Sequence, residues 1–297
     1  VPSQATFLTL ILPTQICCLF PQIFSALCTS LIFLLYLRPA KNNWIIMEIL
    51  GLDVGGSGIK GAIVDTDKGE LISERYRLDT PQPSKPVLVA ETVCEIIKHF
   101  GWKGIVGCSF PAVIIKGKSM TAGNISKKWI GTQADELFSE HCDGLKFYLA
   151  NDADLAGVAE MKLGAGKGLM GKVMMITIGT GLGTGMFYNG QLIPNMELGR
   201  ILYKDGEPVE YYASDAARKK EDLSMKEWAG RFDYYLHHMV RICSPDYFIL
   251  GGGISKKYDK FRDYLTVATP IIVAESRNNA GIIGAAIHAE NLHAQVG

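Results

Sequence analysis

The sequence predicts an α/β protein built as two related halves with a cleft between them. Three observations carry that reading. Short apolar strands alternate with stretches of helical periodicity along residues 47–297. A strand, a glycine-rich turn and a second strand follow one another at 47–65 and again at 172–193. In each half a later strand runs out into polar or glycine residues, NDAD at 151–154 and GGG at 251–253. Chance similarity between two Gly-rich hairpins is the alternative to true internal symmetry.

MEILGLDV (47–54) opens the first half as a short, apolar, β-leaning run. It enters GGSGIKG (55–61), which from Gly56 satisfies G-x-G-x-x-G, the pattern of a dinucleotide-binding turn. That turn needs a helix directly after it, so that the helix N-terminus meets the pyrophosphate. Here AIVD and ELISERYRL flank Asp67, Lys68 and Gly69 instead, which is a hairpin signature. The glycines therefore join antiparallel strands, and the pyrophosphate reading fails.

A proline-rich loop, TPQPSKP (80–86), leads to a helical stretch over 87–101 that closes on glycine. KGIVGCSFPAVI (103–114) reads as a buried strand entering a loop, and FYLANDAD (147–154) as a strand ending in polar groups. DLAGVAEMKLGAG (154–166) reads as a helix. The second half opens with KVMMITIGTGLGTGMFYNGQLI (172–193), closed by the Asn189-Gly190 hairpin signal. A helix over 224–243 and the strand YFILGGGIS (247–255) complete it.

Lys and Arg number 30 and so do Asp and Glu, so the chain has no bulk electrostatic footprint for nucleic acid. The first 37 residues carry no charge, and only Arg38 and Lys41 occur before Met47. Removing those two leaves 28 basic against 30 acidic side chains, an ordinary balance for a soluble domain. Three readings of 1–46 stay open: a non-native extension with Met47 as the working start, a membrane anchor, or cleaved targeting. The run after Pro21 is 16 residues, short of the roughly 20 that span a bilayer. A membrane association is expected only if that leader is native. Cys94, Cys108, Cys142 and Cys243 are isolated in the body, with no C-x-x-C, so neither zinc nor a disulfide framework is expected. A reduced, cytoplasmic body follows. The six histidines form no cluster and read as surface or core residues.

Glycine turns expose backbone N–H groups, and such nests bind phosphate oxygens. Asp53 beside the first turn would repel a phosphate unless a cation lies between them, which suggests a Mg²⁺-bearing phosphate donor, with Lys60 as an extra positive charge. A plain hairpin is the alternative for either turn alone. At NDAD a carboxylate at a strand end can accept a proton from a hydroxyl, ionised at its ordinary pKa of about 3.9. An ordinary helix N-cap competes with that reading. Glu197 and Glu210 are carboxylates that could accept from sugar hydroxyls, or are plain surface glutamates.

These pieces occur together in a recognisable order. LGLDVGGSGIKG (50–61), FP (110–111), NDAD (151–154) and GTGLGTG (179–185) come first. ELG (197–199), E-x-x-A-S (210–214), GGGISK (251–256) and NNAGIIGAA (278–286) follow. Over 47–290 the chain resembles the ROK family of sugar kinases, most closely its polyphosphate glucokinase branch. The resemblance implies two actin-like (ribonuclease H-like) domains with an interdomain cleft, at 47–152 and 153–275, and a C-terminal helix over 276–297 returning to the first. It implies Asp152 as the catalytic base toward the 6-hydroxyl of glucose or a related hexose. Asn151, Glu197 and Glu210 would hold the sugar. Asp53 would face Mg²⁺ through water. Gly55, Gly56, Ser57, Lys60, Gly179, Thr180, Gly181 and Gly183 would cradle the phosphates of polyphosphate or ATP, and Gly251, Gly252 and Gly253 would lie where a base or distal phosphates pass.

Two departures stand out. ILYKDGEPV (201–209) replaces the Cys/His zinc segment of many members, so no structural zinc is expected. Arg200 stands where the family usually has His; it only donates and is permanently charged, so it either pairs with Glu197 or Glu210 or donates to a sugar hydroxyl. A kinase for another hexose or amino sugar, and a weakly active sugar sensor, are the alternatives; a homodimer stays open. Lys127-Lys128, Arg218-Lys219-Lys220 and Lys256-Lys257 are candidate tracks for a polyphosphate chain.

Overall fold

The computed structural model describes residues 48–275 and 279–296; the apolar leader and its competing readings lie outside the described residues. β1 (Glu48–Val54) turns back as β2 (Gly58–Asp65) in antiparallel register, with Asp53 facing Lys60 and Val54 facing Ile59. Gly55 N–H donates to the Gly58 carbonyl at 3.0 Å, so GGSG is a tight hairpin turn with no helix after it. β2 pairs further with two short strands, β3 (Glu70–Leu71) and β4 (Tyr76–Asp79). The run 70–78 breaks between them because the Ser73 hydroxyl takes the Ile63 N–H, at 2.9 Å.

Helix α1 (Pro86–Phe100) starts with proline in its first turn and stops at Gly101, whose φ of 57° is left-handed. β5 (Val106–Phe110) follows, then a small hairpin of β6 (Ile114–Ile115) and β7 (Lys118–Ser119), then α2 (Ala134–His141). β8 (Phe147–Asn151) completes a sheet of order β3-β2-β1-β5-β8, with β1, β5 and β8 parallel. β5 and β8 are buried along their whole length, as parallel strands covered on both faces are. The chain then passes without a loop into α3 (Asp152–Leu163).

The second sheet has the order β11-β10-β9-β12-β13. β9 (Lys172–Ile178) and β10 (Leu182–Tyr188) repeat the antiparallel strand–glycine turn–strand arrangement of β1 and β2. β10 returns as β11 (Gln191–Ile193) through Asn189 and Gly190, both left-handed at φ 49° and 79°, the geometry of a two-residue hairpin turn. Two short helices, α4 (Glu210–Ala213) and α5 (Asp215–Lys220), precede α6 (Met225–Cys243). Ser224 caps α6 reciprocally with Glu227. β12 (Tyr247–Gly251) and β13 (Ile271–Val273) run parallel to β9.

Helix α7 (Ala280–Val296) lies on β1, β5 and β8, while α3 lies on β9 and β10, and the two helices pack on each other. Both thus sit between the sheets, with α1 and α2 outside the first and α6 outside the second. Backbone meets backbone in this layer. A Cβ on Gly51 would overlap the Ile282 carbonyl, one on Gly107 the Ala285 carbonyl, and one on Gly284 the Leu155 carbonyl. Among the described residues no helix is long and apolar enough to cross a membrane.

The cysteines depart from expectation. Cys94 on α1 and Cys142 at the end of α2 form a disulfide, 48 residues apart in sequence with Cα atoms 5.3 Å apart. Their separation hides the pairing in the sequence; the fold lays both helices on one face of the first sheet. Cys108 and Cys243 are free.

Two stability measurements follow. Gly107→Ala drives a side chain into a helix carbonyl and is expected to cost at least about 2 kcal/mol by urea unfolding. Replacing both Cys94 and Cys142 by Ala is expected to cost roughly 2–4 kcal/mol under oxidising conditions, and nothing further once dithiothreitol has reduced the parent.

Candidate active site

The junction of β8 and α3 builds the centre of the site. Asn151 ends the strand and caps the helix: its Oδ1 accepts the N–H groups of Ala153 and Asp154, at 2.9 and 3.3 Å. Its Nδ2 donates to Glu197 Oε1 at 3.2 Å and to the Ala112 carbonyl at 3.4 Å. The N-cap and the site residue are therefore the same side chain, and its amide serves mainly to hold Glu197 and the helix start. The strand expected to reach 154 ends at Asn151 because this cap starts the helix there.

Asp152 occupies the first turn of α3 on the floor of a cleft of about 450 Å³. It is open to the water of the cleft but deep among protein atoms. Burial, the charge of Asp53 and then that of Glu197 push it up to about 6, against the pull of the Ala153 N–H, which it accepts at 2.8 Å. The ordinary carboxylate value expected for it is thus corrected upward. Asp154, two residues on, is pushed up to about 7, chiefly by burial; its Oδ2 accepts the Asn195 N–H at 2.8 Å and its Oδ1 has no partner.

Glu197, Arg200 and Glu210 line the same cleft from the second half. Burial raises Glu197, with Arg200 opposing and Glu210 reinforcing that shift. Glu210 opens α4 and its Oε2 accepts the Leu182 N–H at 3.2 Å, beneath the second glycine turn. A Cβ on Gly181 would collide with that oxygen. The turn is closed by Gly179 N–H on the Gly181 carbonyl at 3.0 Å, and Gly179, Thr180, Gly181 and Gly183 face the cleft. Gly252 and Gly253 face it too, Gly252 left-handed at φ 83° with Ile178 against it. Gly251 does not: it is the buried end of β12, pressed on Met175, and its expected place beside a donor is corrected to a packing one.

The first turn lies beside this cleft. Gly56 approaches the loop carbonyl of Asn124, which lines it; a Cβ there would come within 2.8 Å. The carbonyls of Gly55, Gly56 and Ser57 are engaged by Thr80 Oγ1, Gln82 Nε2 and Arg77 Nη2, at 2.6, 3.1 and 3.0 Å. Lys60 does not stand free as an extra phosphate ligand: its Nζ pairs with Asp53 Oδ2 at 3.1 Å, because the β-register sets the two opposite each other. Ser109 Oγ adds a bond to Asp53 Oδ1 at 3.3 Å.

Thr121–Asn124, Lys127 and Tyr211 also line the cleft; of these the sequence marks only Lys127, as part of a candidate basic run. The Gly123-Asn124 turn was the one available signal. Lys127 Nζ is held on the Ala122 carbonyl at 3.0 Å, facing the cleft, whereas Arg218 and Lys219 are engaged by Asp215 at 2.7 and 2.8 Å. Among the described residues no three His, Cys, Asp or Glu side chains are grouped to hold a metal by themselves. The carboxylates do fit a cation that completes its shell with water and phosphate: the charge of Asp53 raises Asp152 even though Lys60 pairs with Asp53.

A model of the ROK family matches residues 49–201 of the chain. The chain is 44% identical over 237 residues to a polyphosphate glucokinase of Mycobacterium tuberculosis, covering 80% of this chain and 89% of that one. A polyphosphate glucokinase of Mycobacterium leprae is 42% identical over the same length, covering 80% and 73%. The crystal structure of an inorganic polyphosphate/ATP-glucomannokinase from Arthrobacter sp. strain KM superposes with a TM-score of 0.77 at 42% identity, covering 83% of this chain and 99% of that one.

The raised value of Asp152 has a sign that can be measured. Its folded value of about 6 lies above the ordinary 3.8, so the native state holds the extra proton between them and loses stability as pH rises through that window. Asp152→Asn is expected to raise the melting temperature at neutral pH, with the gain shrinking as the pH is lowered toward about 4. Melting at or below the parent at neutral pH would contradict this electrostatic account.

Proposed function

The chain belongs to the ROK family, and from that premise we propose that this sugar kinase transfers a phosphoryl group from polyphosphate or ATP to the 6-hydroxyl of glucose. The observation that carries the proposal is the β8–α3 junction, where Asp152 faces a cleft whose other walls are Glu197, Glu210 and a glycine turn. The 42–44% identity to proteins named polyphosphate glucokinase and inorganic polyphosphate/ATP-glucomannokinase supports donor and sugar alike. The glucomannokinase relative favours mannose as a second acceptor.

Asp152 is largely ionised at neutral pH with a value near 6, close enough to the working pH to accept a proton efficiently. It takes the proton of the 6-hydroxyl as that oxygen bonds to the terminal phosphorus and the donor's bridging oxygen departs. Glu197, oriented by Asn151, and Glu210 accept from other sugar hydroxyls, while Arg200 donates to one. Backbone N–H groups of Thr180 and Gly181, with those of Gly56 and Ser57 in the first turn, meet the phosphates, the Gly55 and Gly179 N–H groups being used within their own turns. Mg²⁺ held by Asp53 through water would neutralise charge on the phosphoryl group and its leaving oxygen. Phosphoryl transfer has a loose transition state, so positioning and charge neutralisation supply most of the acceleration.

The purified protein with Mg²⁺ and glucose is expected to form glucose 6-phosphate, and parallel assays with ATP and polyphosphate identify the donor. Failure with both donors overturns the reading. Asp152→Asn is expected to lose at least about 100-fold in kcat while keeping glucose affinity, read by calorimetry. In the parent, kcat/KM falls on the acid side with a midpoint near 6, because only ionised Asp152 accepts the proton.

A further inference from the structure

Asn195 lies outside the cleft, yet it joins three pieces of the site. It sits between β11 and the 198–200 turn with a φ of 62°, a left-handed conformation that Asn adopts more readily than most residues. Its backbone N–H donates to Asp154 Oδ2 at 2.8 Å. Its side-chain Oδ1 accepts the Ile114 N–H at 3.2 Å, and its Nδ2 donates to the Ile114 carbonyl at 3.0 Å. A primary amide carries donor and acceptor side by side, so it pairs with both polar groups of one residue as a neighbouring strand would.

Each partner leads to the chemistry. Asp154 shares the first turn of α3 with Asp152. Ile114 follows the segment whose Pro111 and Ala112 line the cleft. The Asn195 carbonyl accepts the Glu197 N–H at 3.1 Å, and Glu197 in turn accepts from Asn151. The other end of the loop is held within the second sheet, where Thr184 Oγ1 accepts the Leu198 N–H at 2.9 Å and donates to the Met196 carbonyl. Asn195 thus bridges the loop that bears Glu197 to the half of the molecule that contributes β8. It does so from behind: Asn195, Ile114 and Asp154 line a separate cavity of about 720 Å³, and Asn195 does not line the cleft.

We propose that Asn195 is a positioning residue, a clasp behind the cleft that sets Glu197 against Asp152 and so aligns the sugar with its proton acceptor. Its part in turnover rests on the sugar-kinase reading above. Displacing a bound group by about 1 Å can cost about 100-fold in rate, so a clasp that never touches the sugar can still govern transfer.

Two variants separate this role from a merely structural one. Asn195→Gly removes the amide without straining the left-handed backbone. Asn195→Asp keeps its shape and the acceptor for Ile114 N–H but sets an oxygen against the Ile114 carbonyl. Both are expected to stay folded, with kcat lowered roughly 10- to 100-fold, the KM for glucose raised at least about fivefold, and the donor KM within about twofold. Amide hydrogen exchange at Ile114 and over 196–198 is expected to speed up in both. Parent-like kcat and glucose KM in either folded variant overturn the proposal. So does activity lost only in proportion to folded protein, with both KM values unchanged. If Asn195→Gly fails to fold, Asn195→Asp decides by the same criteria. A parent inactive on glucose counts against the kinase reading instead; the clasp is then judged by exchange alone, faster exchange supporting it and unchanged exchange overturning it.

Discussion

The approach of α7 to the first sheet, backbone against backbone, is the constraint on which the rest of the structure depends. Gly51 on β1 and Gly107 on β5 let the carbonyls of Ile282 and Ala285 press onto the strands. Gly284 on the helix lets the Leu155 carbonyl of α3 do the same from the other side. No side chain larger than hydrogen fits at these points, so the separation of sheet, α7 and α3 is set by the backbones themselves. α3 begins with Asp152, and its depth in the layer decides where that carboxylate emerges. The same packing brings the start of α7 to Asp53, whose carboxylate lies about where a Cβ on Gly281 would make contact, at 3.0 Å.

A site assembled this way gathers negative charge. Asp53, Asp152, Asp154 and Glu197 converge from three segments, and burial raises the last three. One cation, Lys60, is spent on Asp53, while Arg200 tempers Glu197. Such crowding weakens the fold at neutral pH, since each buried carboxylate resists ionisation. It is the arrangement expected where polar hydroxyls are to be bound and a proton removed, and where the incoming phosphates arrive with their own counter-ion.

Much of this was legible in the sequence because local rules and the fold agree. The hairpin in place of a helix after GGSG was readable from Asp67, Lys68 and Gly69, and the Asn189-Gly190 turn from its dipeptide. NDAD presented two readings, cap or catalytic group; the structure assigns the cap to Asn151 and sets its neighbour Asp152 facing the cleft. What escaped depends on register or on distance along the chain. The pairing of Lys60 with Asp53 follows from a strand alignment that residue types alone do not state. The cleft-lining stretch 121–124 has no motif beyond one Gly-Asn turn. Gly251 looked identical to its two neighbours, and only the end of β12 separates a buried glycine from two that face the cleft. The Cys94–Cys142 bond joins elements whose proximity is a product of the whole sheet.

That disulfide sits on α1 and α2, over the outer face of the first sheet, and neither cysteine lines the cleft. Breaking it releases a long loop in the unfolded chain while leaving the groups that face substrate where they are. Proteolysis of a marginally stable protein follows the population of opened molecules. Oxidant exposure would therefore be recorded in how long each molecule survives in the presence of proteases, and its turnover number would carry no trace of it.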